Sequence, residues 1–195
     1  MIDYSEDINK YIEMEIETLK NLNKNEISDV INLIVSTYEK EGRIYIFGNG
    51  GSASTASHFT NDFNKGISEY LEKKFNFICL NDNVPTLLAI ANDISYDEIF
   101  QFQLRGNLNP EDLVIGISGS GNSKNVLNAL EYAKENGTTT LAITGYNGGI
   151  VKTISDYSLN TNINNMQITE DIHMFFDHLI MTVLYWRWNI SKTKC

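Results

Sequence analysis

The first forty positions repeat apolar residues at helical steps. Ile8, Ile12, Ile16 and Leu19 stand three or four apart and share one face of a helix over residues 4–22. A second helix fits "NEISDVINLIVSTYEKEG", with Ile27, Val30, Ile31, Ile34 and Val35 facing in and Gly42 as a stop signal. The two could close as an antiparallel hairpin, and their apolar stripes could equally serve a partner subunit. Beyond residue 42 the period changes. "RIYIF" (43–47), "FNFICL" (75–80), "DLVIGIS" (112–118), "TTLAIT" (139–144) and "DYSLNT" (156–161) are short apolar runs rich in β-branched and aromatic residues. Helical patterns fill the gaps at 53–65, 85–91 with 96–104, 123–136 and 149–154. This alternation predicts right-handed βαβ units and an α/β fold with a parallel sheet. Several strands are apolar on both sides, as expected when helices cover both faces. A long last helix, about 168–187, keeps Ile172, Phe176, Leu179, Ile180, Val183 and Leu184 in helical period. Residues 1–195 therefore read as one domain, a helical hairpin over 1–42 and an α/β core over 43–195 that ends in the long helix.

Composition narrows the function classes. The net charge is −10, and only 15 lysines and arginines are scattered along the chain without a cluster. Nucleic-acid binding draws its affinity from such residues on phosphates, so no nucleic-acid partner is expected. An anion, if bound, must be held by backbone N–H groups and hydroxyls. Hydrophobic content of 42% and charged content of 21% are those of an ordinary soluble protein. No apolar run approaches the roughly 20 residues of a membrane span, and no signal peptide opens the chain, so a cytoplasmic location is expected. Cys79, inside an apolar run, and Cys195, at the tail, make no disulfide framework.

Two loops carry candidate chemistry. "IFGNGGS" ends the first strand and opens a helix, and "ISGSGNS" does the same after the third. Glycine lets backbone approach a ligand closely, and helix N-termini present unpaired N–H groups with partial positive charge. Ser118, Ser120 and Ser123 add hydroxyls. Both loops fall at the C-terminal ends of strands, where parallel sheets bind ligands. Against this, glycine and serine also make plain turns, and Ser123 is a plausible N-cap. Neither loop matches a dinucleotide fingerprint or a P-loop, so a phosphate group fits these loops better than a nucleotide does.

The three histidines occupy two helices only. His58 and Asp62, at i and i+4, share a face of the helix after the first loop. His173 and His178 lie in the last helix, in "ITEDIHMFFDHLI", where Glu170, Asp177 and His178 interrupt an apolar pattern. Glu170 and His178 are eight apart and fall within about 80° around the helix axis. Two histidines and two carboxylates could hold a divalent metal or supply acid and base. They could also be surface polar residues, or core histidines bonded to carboxylates.

"GNGGSA…HF…DF", "ISGSGNSKNVLNALEYAKENG" and "ITGYNGG" together resemble the SIS (sugar isomerase) domain family, and within it the phosphoheptose isomerases. The similarity runs over nearly the whole chain, including "AIANDISYDEIF" and the last helix. It implies a three-layer, flavodoxin-like sheet flanked by helices, a homotetramer with active sites between subunits, and aldose–ketose isomerisation of a sugar phosphate. It implies that Asn49, Gly50, Gly51 and Ser52 line the sugar-phosphate site and that Asn92 and Asp93 contact substrate. Ser118, Gly119, Ser120 and Ser123 would hold the phosphate. One zinc per subunit would be bound by His58, Asp62, Glu170 and His178, with Glu170 also touching substrate. Asp62 would act as base and His178 as its acid–base partner.

The chain departs from the family pattern at three of these positions. Asp62 stands where a glutamate is expected, Glu170 where a glutamine is, and Gly119 where a threonine is. The first two touch the reaction centre. They keep open an isomerase for another phosphosugar, in a capsule, lipopolysaccharide or other surface-polysaccharide pathway. A relative that binds phosphosugar or protein without catalysis is the remaining alternative.

Overall fold

The computed structural model describes residues 2–190. Cys195 lies outside the described residues. Two helices lead, α1 (Ser5–Asn21) and α2 (Lys24–Glu39). Asn23 caps α2, its side chain accepting from the N–H groups of Asn25 and Glu26. The core then alternates: β1 (Ile44–Gly48), α3 (Gly51–Asn61), β2 (Phe77–Cys79), α4 (Val84–Asp93), α5 (Gln101–Leu104), β3 (Leu113–Ser118), α6 (Lys124–Glu135), β4 (Thr139–Thr144), α7 (Gly149–Ile154), β5 (Tyr157–Asn160) and α8 (Met166–Arg187). All strand pairs are parallel, in the order β2-β1-β3-β4-β5. That is the expected flavodoxin-like order.

Successive strand residues face opposite layers. Ile44 and Ile46 join a core with Phe59 of α3 and Ile168, Ile172, Phe176 and Ile180 of α8. Tyr45 and Phe47 join the other core, with Phe100, Val126 and Leu130. The helix after β1 therefore covers one face and the helix after β3 the other. The strand order reverses between β1 and β3, which opens a crevice above their C-terminal ends.

Two elements differ from the sequence expectation, and the exposure of the α1 stripe bears on a point left open there. The helix expected over 53–65 ends at Asn61 and continues as a π-helical stretch, Asp62–Ile67, so Asp62 stands at its first residue. Wide π turns recur at functional sites because they re-aim side chains. The second strand covers Phe77–Cys79 only, and at its open edge Phe77 N–H donates to Asn64 Oδ1 while Asn64 Nδ2 donates to the Phe77 carbonyl. The stripe of α1 is not covered by this chain: Ile8, Ile12 and Ile16 are exposed, while Tyr11, Met14 and Leu19 pack against the core.

Candidate functional site

Asn81 fixes the first loop from the neighbouring strand. Its Oδ1 accepts from Gly48 N–H and its Nδ2 donates to the Gly48 carbonyl. Gly48 is packed so tightly that a Cβ there would sit 2.6 Å from that of Ser52. Gly50 turns the chain at φ +56° and opens α3, with open space where a side chain would be. Asn49 and Asn125 form a reciprocal amide pair, and Tyr96 Oη donates to Asn49 Oδ1. Asn81, Tyr96 and Asn125 carried no signal in sequence, because each reaches the loop from at least 33 residues away.

The second loop closes on itself. Ser118 Oγ donates to Ser123 Oγ at 3.0 Å, and Gly121 N–H donates to the Ser118 carbonyl. Gly121 has φ +67°, and a Cβ there would lie 2.0 Å from the Gly148 carbonyl oxygen, so no other residue fits. Ser123 occupies the N-cap position of α6 but makes no side-chain capping bond. Val126 N–H donates to Asn125 Oδ1, which leaves the N–H groups of Lys124 and Asn125 at the start of α6 to a ligand or water, with three serines around them. Ser118 is buried and Ser120 is exposed. Ser120 and Asn122 line a polar pocket with Tyr146, Asn147, Asn162 and Asn164.

Helix α8 runs behind both loops. Met166 stands where a Cβ on Gly119 would go and Thr169 where one on Gly145 would, and the carboxylate of the next residue, Glu170, fills the space of a Cβ on Gly51. Two turns further, α8 meets α3. His58, Asp62, Asp177 and His178 each bring one ligand atom to within 4.8 Å of the others. The two Nε2 atoms are 3.2 Å apart. Asp62 Oδ2 is 3.5 Å from His58 Nε2 and 3.9 Å from His178 Nε2, and Asp177 Oδ2 is 3.8 Å from His58 Nε2. Four donors about 2.0–2.2 Å from one tetrahedral ion stand about 3.3–3.6 Å from each other, so these residues fit a single small divalent cation.

The resemblance expects Glu170 as the fourth donor; the group that gathers here instead contains Asp177. Asp177 is seven residues from Glu170, about 20° around the axis, and it directly precedes His178. That spacing was the signal available in sequence. Its side chain is fully buried and neither oxygen has a hydrogen-bond partner. Burial, aided by the Asp62 carboxylate, pushes its pKa up to about 8. His173, one turn earlier, is also fully buried, with neither ring nitrogen hydrogen-bonded in good geometry. Burial holds its pKa down at about 4, the Thr144 backbone offsetting part of the effect. It stays outside the four-residue group. Asn92 and Asp93 end α4, exposed, with Asn92 Nδ2 donating to Asp93 Oδ1.

Among the described residues, no helix is long and apolar enough to cross a membrane. The SIS domain family matches the chain over residues 3–145. The phosphoheptose isomerase of Helicobacter pylori strain P12 is 41% identical over 150 residues, 77% of this chain and 78% of its own. That of Aliarcobacter butzleri strain RM4018 is 34% identical over 181 residues, 93% of this chain and 91% of its own. The solved structure of a phosphoheptose isomerase from Francisella tularensis superposes with a TM-score of 0.86 at 27% identity, covering 94% of this chain and 98% of that one.

Proposed function

The chain belongs to the SIS domain family and, within it, to the phosphoheptose isomerases, and from that membership we propose that it converts sedoheptulose 7-phosphate to glycero-manno-heptose 7-phosphate through an enediol. It is an enzyme, a phosphosugar isomerase. The observation that carries the reading is the pairing of an uncapped serine loop with an acid–histidine group along one helix, α8.

The phosphate is held at the N-terminus of α6 by Ser118, Gly119, Ser120 and Ser123. At the first loop the Glu170 carboxylate already stands over Gly51. A second anion is disfavoured there, which supports the reading with the phosphate at the serine loop and the sugar chain at Asn49, Gly50, Gly51 and Ser52. Asn92 and Asp93 serve as further substrate contacts. Binding energy at the phosphate orients the carbons that react.

Asp62 takes the proton from the carbon next to the carbonyl and returns it to the neighbouring carbon. His178 moves the proton between the two oxygens. The cation is zinc, one per subunit, with His58, Asp62 and His178 as ligands. When bound, it supplies Lewis-acid polarisation of the carbonyl and diol oxygens. The aspartate side chain is one methylene shorter than glutamate, yet its Oδ2 comes within 3.5 Å of His58 Nε2 and 3.9 Å of His178 Nε2.

Residues 1–195 act as one SIS domain in the cytoplasm, assembled as a homotetramer. The exposed stripe Ile8, Ile12 and Ile16 supports an apolar subunit contact, since single monomers rarely leave such a run uncovered. A second reading, an isomerase of another phosphosugar from a surface-polysaccharide pathway, is favoured by Asp62 and Glu170 at the reaction centre. Incubating purified protein with sedoheptulose 7-phosphate, with and without zinc, tests both. Appearance of the aldose phosphate supports the heptose assignment. Conversion only of another ketose phosphate of five to seven carbons moves the assignment to that sugar. No conversion of any, with no stoichiometric metal, leaves a binding module and overturns the isomerase.

A further inference from the structure

The site described above leaves one buried acidic group unused. A carboxylate buried without a hydrogen bond or a charge partner is strongly unfavourable unless it is paired or bound to a metal. Asp177 is such a group: its side chain has no exposure, and both oxygens are unpartnered. It is aimed into the cluster, with Oδ2 3.8 Å from His58 Nε2.

We infer that Asp177 is the fourth, buried ligand of the cation held by His58, Asp62 and His178, so that this chain builds a two-histidine, two-aspartate site with Glu170 outside it. The inference rests on the metal reading given above and goes beyond it. Three observations support it. The four donors already gather within 4.8 Å of one another, four of the pairs at 3.2–3.9 Å, near the spacing one tetrahedral ion requires. The Glu170 carboxylate is engaged elsewhere, against Gly51 at the start of α3. Two carboxylates and two neutral imidazoles balance a divalent charge, which removes the cost of burying Asp177. A third carboxylate would leave the site net negative.

Asp177 approaches the group from the core, while the His58 and His178 side chains stay 42% and 52% exposed, so substrate would approach the site from the histidine side. Glu170 remains free to touch the sugar at the glycine loop.

The test is zinc binding by the full-length protein, stripped of metal and titrated with Zn2+ against a chromogenic chelator. Loss of a residue that merely supports a ligand weakens metal binding by about 10–100-fold, so loss of a ligand costs at least about tenfold. Asp177→Asn is expected to weaken zinc by that much, and Asp177→Leu by as much or more. Glu170→Gln should stay within about twofold of the parent protein. The metal-free melting temperatures of both Asp177 variants should equal or exceed that of the parent, because each removes an orphan buried acid; this also establishes that they fold. Zinc binding unchanged in both Asp177 variants overturns the inference, as does an equal loss in Glu170→Gln. In either case the metal reading itself stands. Failure of the parent protein to bind Zn2+, Co2+ or Mn2+ overturns both.

Discussion

At the serine loop, the groups assigned to the phosphate come from six consecutive residues, Ser118 to Ser123. At the acid–histidine group, 120 residues separate His58 from His178. The first is a turn and a helix start, built from local glycine geometry and hydroxyls that need only each other. The second exists only because α8 packs across α3, and its exact membership depends on which turn of α8 arrives there. The difference separates a binding element, whose parts travel together in sequence, from a reaction centre, whose parts are chosen by packing. It also separates two kinds of failure: damage to the loop should weaken substrate binding, and damage to the group should stop the chemistry.

The largest effect is expected at the packed end. His178→Gln removes the proton carrier while keeping an amide of similar reach, so kcat should fall about 10²–10⁴-fold. KM should move far less, as steady-state kinetics on the phosphosugar will report. A KM effect with kcat intact would dissolve the distinction between the two ends.

A stability effect comes next, from the other histidine of the same helix. Burial holds His173 at about 4 against an ordinary value of 6.5. Between those values the unfolded chain takes up a proton that the folded chain refuses, so stability falls as pH drops from about 6.5 to 4. At about 1.4 kcal/mol per pH unit the loss attributable to His173 is about 3 kcal/mol. His173→Phe should remove that slope, measured by urea unfolding at a series of pH values. An unchanged slope would show that the fold accommodates a charged His173.

The smallest effect belongs to the loop. Ser118→Ala deletes the hydroxyl that donates to Ser123 Oγ and faces the uncapped start of α6. A lost hydrogen bond of about 1–2 kcal/mol predicts a KM increase of roughly tenfold with kcat nearly kept. A kcat loss as large as that of His178→Gln would mean that the loop, too, takes part in the chemistry.

The loop was legible because glycine and serine report their own backbone. Glycines that free the backbone for a close approach, and Ser123 at a helix start, follow from residue type and position, whereas the fit of Gly121 against the Gly148 carbonyl does not. The histidines were legible as candidates, since polar residues interrupting an apolar helix stand out. Their fourth companion was not: Glu170, Asp177 and His178 all lie within about one quadrant of α8, and periodicity cannot say which turn meets α3. Nor could it reveal Asn81, Tyr96 and Asn125, ordinary polar residues that hold the first loop from other elements.

The sequence by itself determined the alternation of strands and helices, the parallel sheet, the two glycine loops at strand ends and the pair His58–Asp62 on one helical face. These follow from side-chain period and backbone freedom, which act over a few residues. Only the tertiary structure decided that a π turn begins at Asp62, that Glu170 stops at Gly51, and that Asp177 reaches the histidines with nothing to neutralise it. Those outcomes depend on how far α8 slides along α3. That slide is set by the shared core of Phe59, Ile172, Phe176 and Ile180, side chains whose pattern fixes a face but not a height.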